Sequence, residues 1–248
     1  MPQTVKTPGA ATLNTRQVIH RRGLITMKNA ETPVLKVALF GAISSFGSAL
    51  MAELLRRQHE VIAVLDDLNA LAPRPGLRTK QGNLFSRERI GESIAGSSVV
   101  IALLDAKVLP VGTDEPHPPQ DLTPVNQLIV TQNLLACMAR MGVKRLMLVC
   151  DVELRHEASL ADYQDSHLDQ FQASALIVDS LRNSELAWTL VKAPQGVAGL
   201  GIEHFSQNGG TVEPGLEVPL EVLGRVAAGI ADEMMLNLHV HQYVNFVI

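Results

Sequence analysis

The sequence predicts a doubly wound α/β fold, a parallel sheet covered by helices on both faces in a single domain. Three observations carry this. Short apolar, β-branched runs take turns with helix-period patterns from Val34 to the end of the chain, which is how successive βαβ units read. Most of these runs are apolar throughout instead of alternating with polar residues, as strands buried on both faces must be. The first run also stops at Gly41, in a strand-to-helix turn that carries a second glycine at Gly47.

Taken in order, Val34–Phe40 (VLKVALF) is the first strand. Phe46, Leu50, Met51, Leu54 and Leu55 recur at helical spacing after it, and Arg56 and Arg57 close that helix at the end where its dipole favours cations. Val61–Leu65 is a second strand ending in Asp66 and Asp67, and residues 76–82 form a weak third. Arg87–Ala95 follows as a short helix, Val99–Leu104 as a strand, Pro124–Met141 as a long helix and Arg145–Val149 as a strand. A helix near Leu168–Arg182, a strand at Ala187–Val191, a helix near Leu220–Met235 and a strand at Tyr243–Val247 complete the pattern. No internal repeat and no second domain is visible. Two long connections, Lys107–Thr123 with four prolines and Cys150–His167, follow the fourth and fifth strands. In an open α/β sheet ligands bind beyond the carboxyl ends of the strands, so both connections are placed where a substrate would be.

Composition narrows the function. The chain has 248 residues, 46% of them hydrophobic and 19% charged, with net charge −4. No apolar run approaches the roughly 18 residues needed to cross a bilayer, so no membrane association is expected. Residues 1–30 carry five basic side chains and no acid, which leaves −9 on the remainder. An acidic body of that kind disfavours nucleic acid, whose phosphates are neutralised by Lys and Arg. The basic stretch lacks the apolar core of an export signal. It is expected to be a disordered extension over residues 1–33, with Met27 standing as an alternative start just ahead of the first strand. Cys137 and Cys150 show no metal-binding or disulfide spacing, which suits a reducing, cytoplasmic setting.

The chemistry-bearing segment is Gly41-Ala42-Ile43-Ser44-Ser45-Phe46-Gly47. Glycines there let the chain turn tightly, admit a pyrophosphate to the backbone and seat the helix on its strand, while the helix N-terminus supplies N–H donors. A complete G-x-x-G-x-x-G pattern needs glycine at 44, where this chain has Ser44, whose side chain stands where the backbone would otherwise be bare. Asp66 lies 19 residues beyond Gly47, at the end of the second strand. An acid at that place accepts hydrogen bonds from the adenosine ribose and repels a 2′-phosphate, which favours NAD(H) over NADP(H). The plain alternatives are a ligand-free turn for the glycines and a solvated strand end for Asp66 and Asp67.

Four stretches carry a family resemblance: KVALFGAISSFGSALMAELLRRQHEVIAVLDD, QGNLFSRERIGESIAGSSVVIAL, NQLIVTQNLLACMARMGVKRLMLV and LRNSELAWTLVKAP. In these the chain resembles the atypical short-chain dehydrogenase/reductases, in particular the small NAD(P)H-binding proteins labelled NADH-flavin reductases. The resemblance implies a Rossmann-like fold, a nicotinamide dinucleotide along the strand ends, and Asn83 and Leu84 near the adenine. Departures from the family pattern are equally informative. Asp66 stands where the group often has Arg, and Asn83 where it has Asp. After the fifth strand, where extended members place a Ser that assists a Tyr-x-x-x-Lys pair, this chain has Cys150-Asp151.

Tyr163 is followed four residues later by His167 and not by Lys. These two are the candidates for catalysis, an exposed tyrosine in an acid-rich loop being the alternative. Cys150, Asp151, Lys192 and Pro194 follow the fifth and sixth strands and are expected to line a substrate cleft together with Ala193–Gly201. No metal site is expected: His117 stands alone in its loop, and His239 with His241 suit a surface role. The expected function is NAD(P)H-dependent reduction of a small planar acceptor, a flavin or a quinone, which needs positioning more than a proton donor. The alternative is a non-catalytic dinucleotide sensor or partner-binding regulator. Epimerase chemistry, which normally uses the Tyr/Lys pair, is disfavoured. Oligomeric state is not legible.

Overall fold

A computed structural model describes residues 33–104, 123–152, 170–194, 199–206 and 214–246. The chain divides into two units, Met1–Pro33 and Val34–Ile248, and every element below belongs to the second. The expected disordered extension, Pro33 apart, lies outside the described residues, as does most of both long connections.

In chain order the elements are β1 (Lys36–Phe40), α1 (Ser45–Arg56), β2 (Glu60–Leu65), β3 (Leu77–Gln81), α2 (Arg87–Ile94) and β4 (Val99–Leu104). Then come α3 (Pro124–Met141), β5 (Arg145–Cys150), α4 (Gln170–Arg182), β6 (Ala187–Lys192), α5 (Ile202–Ser206), α6 (Glu217–Leu236) and β7 (Gln242–Val244). The seven strands form one sheet in the order β3-β2-β1-β4-β5-β6-β7, and every pairing is parallel. This is the expected doubly wound, Rossmann-like arrangement. Strand order reverses at β1, which pairs with β2 on one side and β4 on the other. The crevice for a ligand therefore opens above the carboxyl ends of β1 and β4.

All six residues of β4 and all six of β5 are buried, because helices cover both faces. Ala38 and Phe40 join the layer of α2, α3 and α4 with Ile90, Leu134 and Leu181. Val37 and Leu39 face the opposite layer, where Leu50 and Leu54 of α1 meet Ile230 of α6. Full burial of each such Phe, Leu, Ile or Val side chain is worth about 1.5–3 kcal/mol. The third strand read as weak because β3 is a sheet edge, with Arg78 exposed and Lys80 capping carbonyls of α2. Edge charges of this kind discourage pairing with a further chain.

Helix ends follow from the sequence. The Thr123 hydroxyl accepts the Asn126 N–H, Pro124 occupies the first turn, and Gly142 closes α3 at φ 71°. Helix α6 begins at Glu217, earlier than the expected Leu220, with Pro219 in its first turn, where a missing N–H costs nothing. Helix α5 was not expected. Its five residues are too few to show a period, and it is held by burial of Ile202 against the α1–α6 layer.

A buried polar cluster ties α6 to the sheet at the amino ends of β5 and β6. Glu233 Oε1 accepts from Arg145 Nη2 at 3.0 Å and from the His239 backbone N–H at 2.9 Å, and Glu233 Oε2 lies 2.8 Å from His239 Nδ1. Arg145 Nη1 donates to Thr189 Oγ1 at 2.8 Å, and Thr189 Oγ1 donates to the His239 carbonyl at 2.9 Å. Burial pushes the Glu233 carboxyl up, but the His239 N–H and ring and the Arg145 guanidinium outweigh it and hold the group below its ordinary range.

His59 provides a pH-dependent element at the same end of the sheet. It is 2% exposed, its Nδ1 accepts the Leu35 N–H at 3.3 Å, and its Nε2 has no partner among the described residues. Burial, and next the Arg57 charge, lower its pKa. Below the unfolded value of about 6.5 the unfolded chain takes up a proton that the folded chain resists, so stability falls as pH falls. Urea unfolding at pH 7.5 and 5.5 is expected to show this loss in the wild type and a smaller loss in His59→Gln. Equal pH dependence in the two proteins contradicts the assignment.

Candidate functional site

The β1–α1 turn lies at the switch point. Gly41 has φ +82°, a conformation L side chains rarely adopt, and a Cβ there would stand 2.9 Å from Leu103 Cβ on β4. At Gly47 a Cβ would collide with the Gly41 carbonyl oxygen and lie 2.9 Å from the Ala42 Cα and carbonyl carbon. Helix α1 therefore starts directly against the end of β1, which glycine alone permits.

Ser44 does not project into the crevice. It is 7% exposed and is the N-cap of α1, its Oγ accepting the Gly47 N–H at 2.9 Å and donating to the Gly41 carbonyl at 2.9 Å. Its Cβ is accommodated because the hydroxyl turns back into the turn. Ser45 and Phe46 follow in the first turn of α1, where N–H groups have no intrahelical acceptor. The Ser45 hydroxyl accepts the Leu200 N–H at 2.9 Å, and Phe46 is buried in the α1 layer. Ile43 is 44% exposed at the tip of the turn.

Asp66 directly follows Leu65, the last residue of β2, at the carboxyl end of the sheet where this turn also lies. Its carboxyl is partly buried, burial pushes its pKa up, and it has no hydrogen-bond partner among the described residues. The neighbouring Asp67 is exposed and occupied locally, its Oδ1 accepting the Asn69 N–H at 2.9 Å. Beyond β3, Asn83 Oδ1 accepts the Phe85 N–H at 2.8 Å and shapes the approach to α2. Leu84 is 4% exposed and packs into the α2–α4 layer.

Two residues that hold this corner were not anticipated. A Cβ on Gly82 would collide with Val64 Cγ1 and lie 2.9 Å from Ser93 Oγ, so β3 can end against β2 only with glycine there. Asn133 of α3 is buried, accepts from Arg87 Nε at 2.8 Å and donates to the Leu84 carbonyl at 3.4 Å. Its sequence signal is weak, because Gln127 and Thr131 of α3 are buried polar residues too.

On the far side of the crevice Cys150 and Lys192 are register partners at the ends of β5 and β6, and the Ala193 N–H donates to the Cys150 carbonyl at 3.3 Å. Asp151 and Lys192 are exposed there, and Pro194 is half-buried. Cys150 requires a correction. Its side chain is fully buried in the α2–α4 layer, and burial followed by the Asp151 charge drives the thiol pKa far up, so no thiol faces the cleft. Tyr163 and His167 lie outside the described residues. A groove of about 640 Å³ lies elsewhere, between the C-terminal half of α1, α5 and α6, lined by Ala52, Leu55, Phe205 and Leu220. No three of His, Cys, Asp and Glu converge as metal ligands among the described residues.

A parallel sheet in this order, a glycine-limited β1–α1 turn at its switch point and an acid directly after β2 are the marks of a dinucleotide-binding α/β domain. Residues 41–233 match the model of the NAD(P)H-binding family, and the chain belongs to that family. No curated protein matches it.

Among solved structures the chain is similar to the Bordetella bronchiseptica enzyme WbmH in complex with NAD+, at 13% identity and TM-score 0.54, covering 86% of this chain and 76% of that one. It is similar to the oxidoreductase ylbE from Lactococcus lactis at 12% identity and TM-score 0.55, covering 85% and 90%. A wide-type short-chain dehydrogenase/reductase from Veillonella parvula in complex with NADP has 12% identity and TM-score 0.53, covering 86% and 94%. At these identities the likeness is one of fold. No helix among the described residues is long and apolar enough to cross a membrane.

Proposed function

We propose that the chain binds NAD(H) in preference to NADP(H) and uses it to reduce a small planar acceptor such as a flavin or a quinone. The observation that carries the cofactor preference is Asp66, a partly buried carboxylate with no hydrogen-bond partner among the described residues. With its pKa raised, its ionisation costs the unliganded fold at neutral pH, and two ribose hydroxyls are the donors that offset this cost. A 2′-phosphate at the same place meets a like charge.

The backbone N–H groups of Ile43, Ser45 and Phe46 hold the pyrophosphate, with Gly41, Ser44 and Gly47 shaping the turn that presents them. Asp67 borders the ribose, and Asn83 and Leu84 border the adenine, Leu84 through its backbone since its side chain is in the core. Asp151, Lys192 and Pro194 border the acceptor. When bound, the nicotinamide supplies the hydride. The protein's part is to hold the acceptor against it, for which no Tyr/Lys pair is required. Tyr163 and His167 are kept as candidate proton donors. Two free buried cysteines accord with a reducing, cytoplasmic setting.

A second reading, a dinucleotide sensor without turnover, is favoured by one observation. At the end of β5, where a hydroxyl would assist proton transfer, the chain has a buried thiol. Steady-state oxidation of NADH with FMN and with a quinone separates the two. Turnover on the order of 1 s⁻¹ or faster with either acceptor is expected of a reductase, whereas tight binding without turnover on any acceptor gives the sensor. Asp66→Arg tests the preference itself: NADPH is expected to become the tighter ligand, and an unchanged preference removes Asp66 from the site.

A further inference from the structure

The Ser45 hydroxyl sits in the first turn of α1 but is engaged 155 residues away, accepting the Leu200 N–H at 2.9 Å. Leu200 and Ile202 are 4% and 2% exposed and belong to the apolar layer built on α1 and α6. The segment that enters α5 is therefore anchored on the turn that the proposed function gives to the pyrophosphate. Having accepted from Leu200, Ser45 Oγ retains its own hydrogen, and no described residue accepts it. A hydroxyl that accepts a hydrogen bond is the better donor for doing so.

We propose that Ser45 is a positioning residue that links dinucleotide binding to the segment entering α5, through a chain running from the Leu200 N–H to Ser45 Oγ and from the Ser45 O–H to a phosphate oxygen. This rests on the nucleotide reading above. The neighbouring Ser44 cannot serve in this way, because its hydrogen is donated to Gly41 and its oxygen caps Gly47. Coupling of this kind is reciprocal: a dinucleotide that strengthens the Leu200 bond is itself held more tightly when that bond is intact.

Amide hydrogen exchange at Leu200 and calorimetric titration with NADH, on the wild type, Ser45→Ala and Ser45→Thr, test the link. In the wild type, saturating NADH is expected to slow Leu200 exchange about five-fold or more. In Ser45→Ala the amide exchanges about ten-fold faster, does not respond to NADH, and binding is about ten-fold weaker, the loss expected for one hydrogen bond to a charged group. Ser45→Thr, which keeps the hydroxyl, restores protection, response and affinity. NADH binding that leaves wild-type Leu200 exchange unchanged, or wild-type affinity in Ser45→Ala, overturns the link while the nucleotide reading stands. A wild type that binds no NADH overturns both, even if Ser45→Ala still loses protection at Leu200.

Discussion

Gly47→Ala is expected to lower stability by about 3 kcal/mol, near the top of the range for overpacking, because the added methyl meets backbone and not a side chain that can swing away. Relief requires α1 to move off the end of β1. That movement carries the Ser45 and Phe46 N–H groups away from the crevice, so dinucleotide affinity should fall at least about ten-fold in whatever fraction folds. The same substitution at Gly224 provides the control. Gly224 lies within α6 with nothing within 4 Å of an added Cβ, and Gly224→Ala is expected to raise stability by about 0.5–1 kcal/mol through helix propensity alone. Urea unfolding of both variants checks the opposite signs; two effects of the same sign contradict the tight seating of α1.

Glu233→Ala has the other large effect. It leaves the Arg145 guanidinium, 9% exposed, without its anion, and removes the acceptor of the His239 N–H. Removing one partner of a buried pair costs about 3–5 kcal/mol, a large part of the 5–15 kcal/mol typical of a whole domain. The cluster stands at the amino ends of β5 and β6, away from the carboxyl ends where a ligand binds, so the folded fraction should keep its NADH affinity. Replacing Arg145 and Glu233 together by methionine is expected to recover most of the loss, since the unpaired charge disappears. Denaturant midpoints read the stability and calorimetry reads the affinity. A loss below about 1 kcal/mol in Glu233→Ala contradicts the buried pair as a fastener.

The parts of this fold legible in the sequence are those whose signal is local. Strands β1, β2, β4, β5 and β6 read clearly because two-sided burial demands continuous apolar runs. The Gly41, Gly47 and Asp66 spacing is set by a single βαβ unit, so it too is visible without the tertiary structure. Side-chain direction in a strand buried on both faces is not visible, because every position is apolar and parity leaves no mark. The position of Cys150 at a strand end therefore suggests the cleft, whereas its side chain faces the core. Long-range polar contacts leave no local mark either. Arg145 with Glu233 and Leu200 with Ser45 join residues 88 and 155 positions apart. The serine at position 44 looked like a defect in the glycine pattern. It is a helix cap, and its preference for that role is written in any Ser that precedes a helix.

The central claim, an NAD-preferring site at the β1–α1 turn, is tested most directly by calorimetric titration of the intact chain with NADH and, separately, with NADPH. Saturable one-to-one binding, tighter for NADH, is the predicted result; no heat with either dinucleotide contradicts the site, and NADPH binding more tightly contradicts the role given to Asp66.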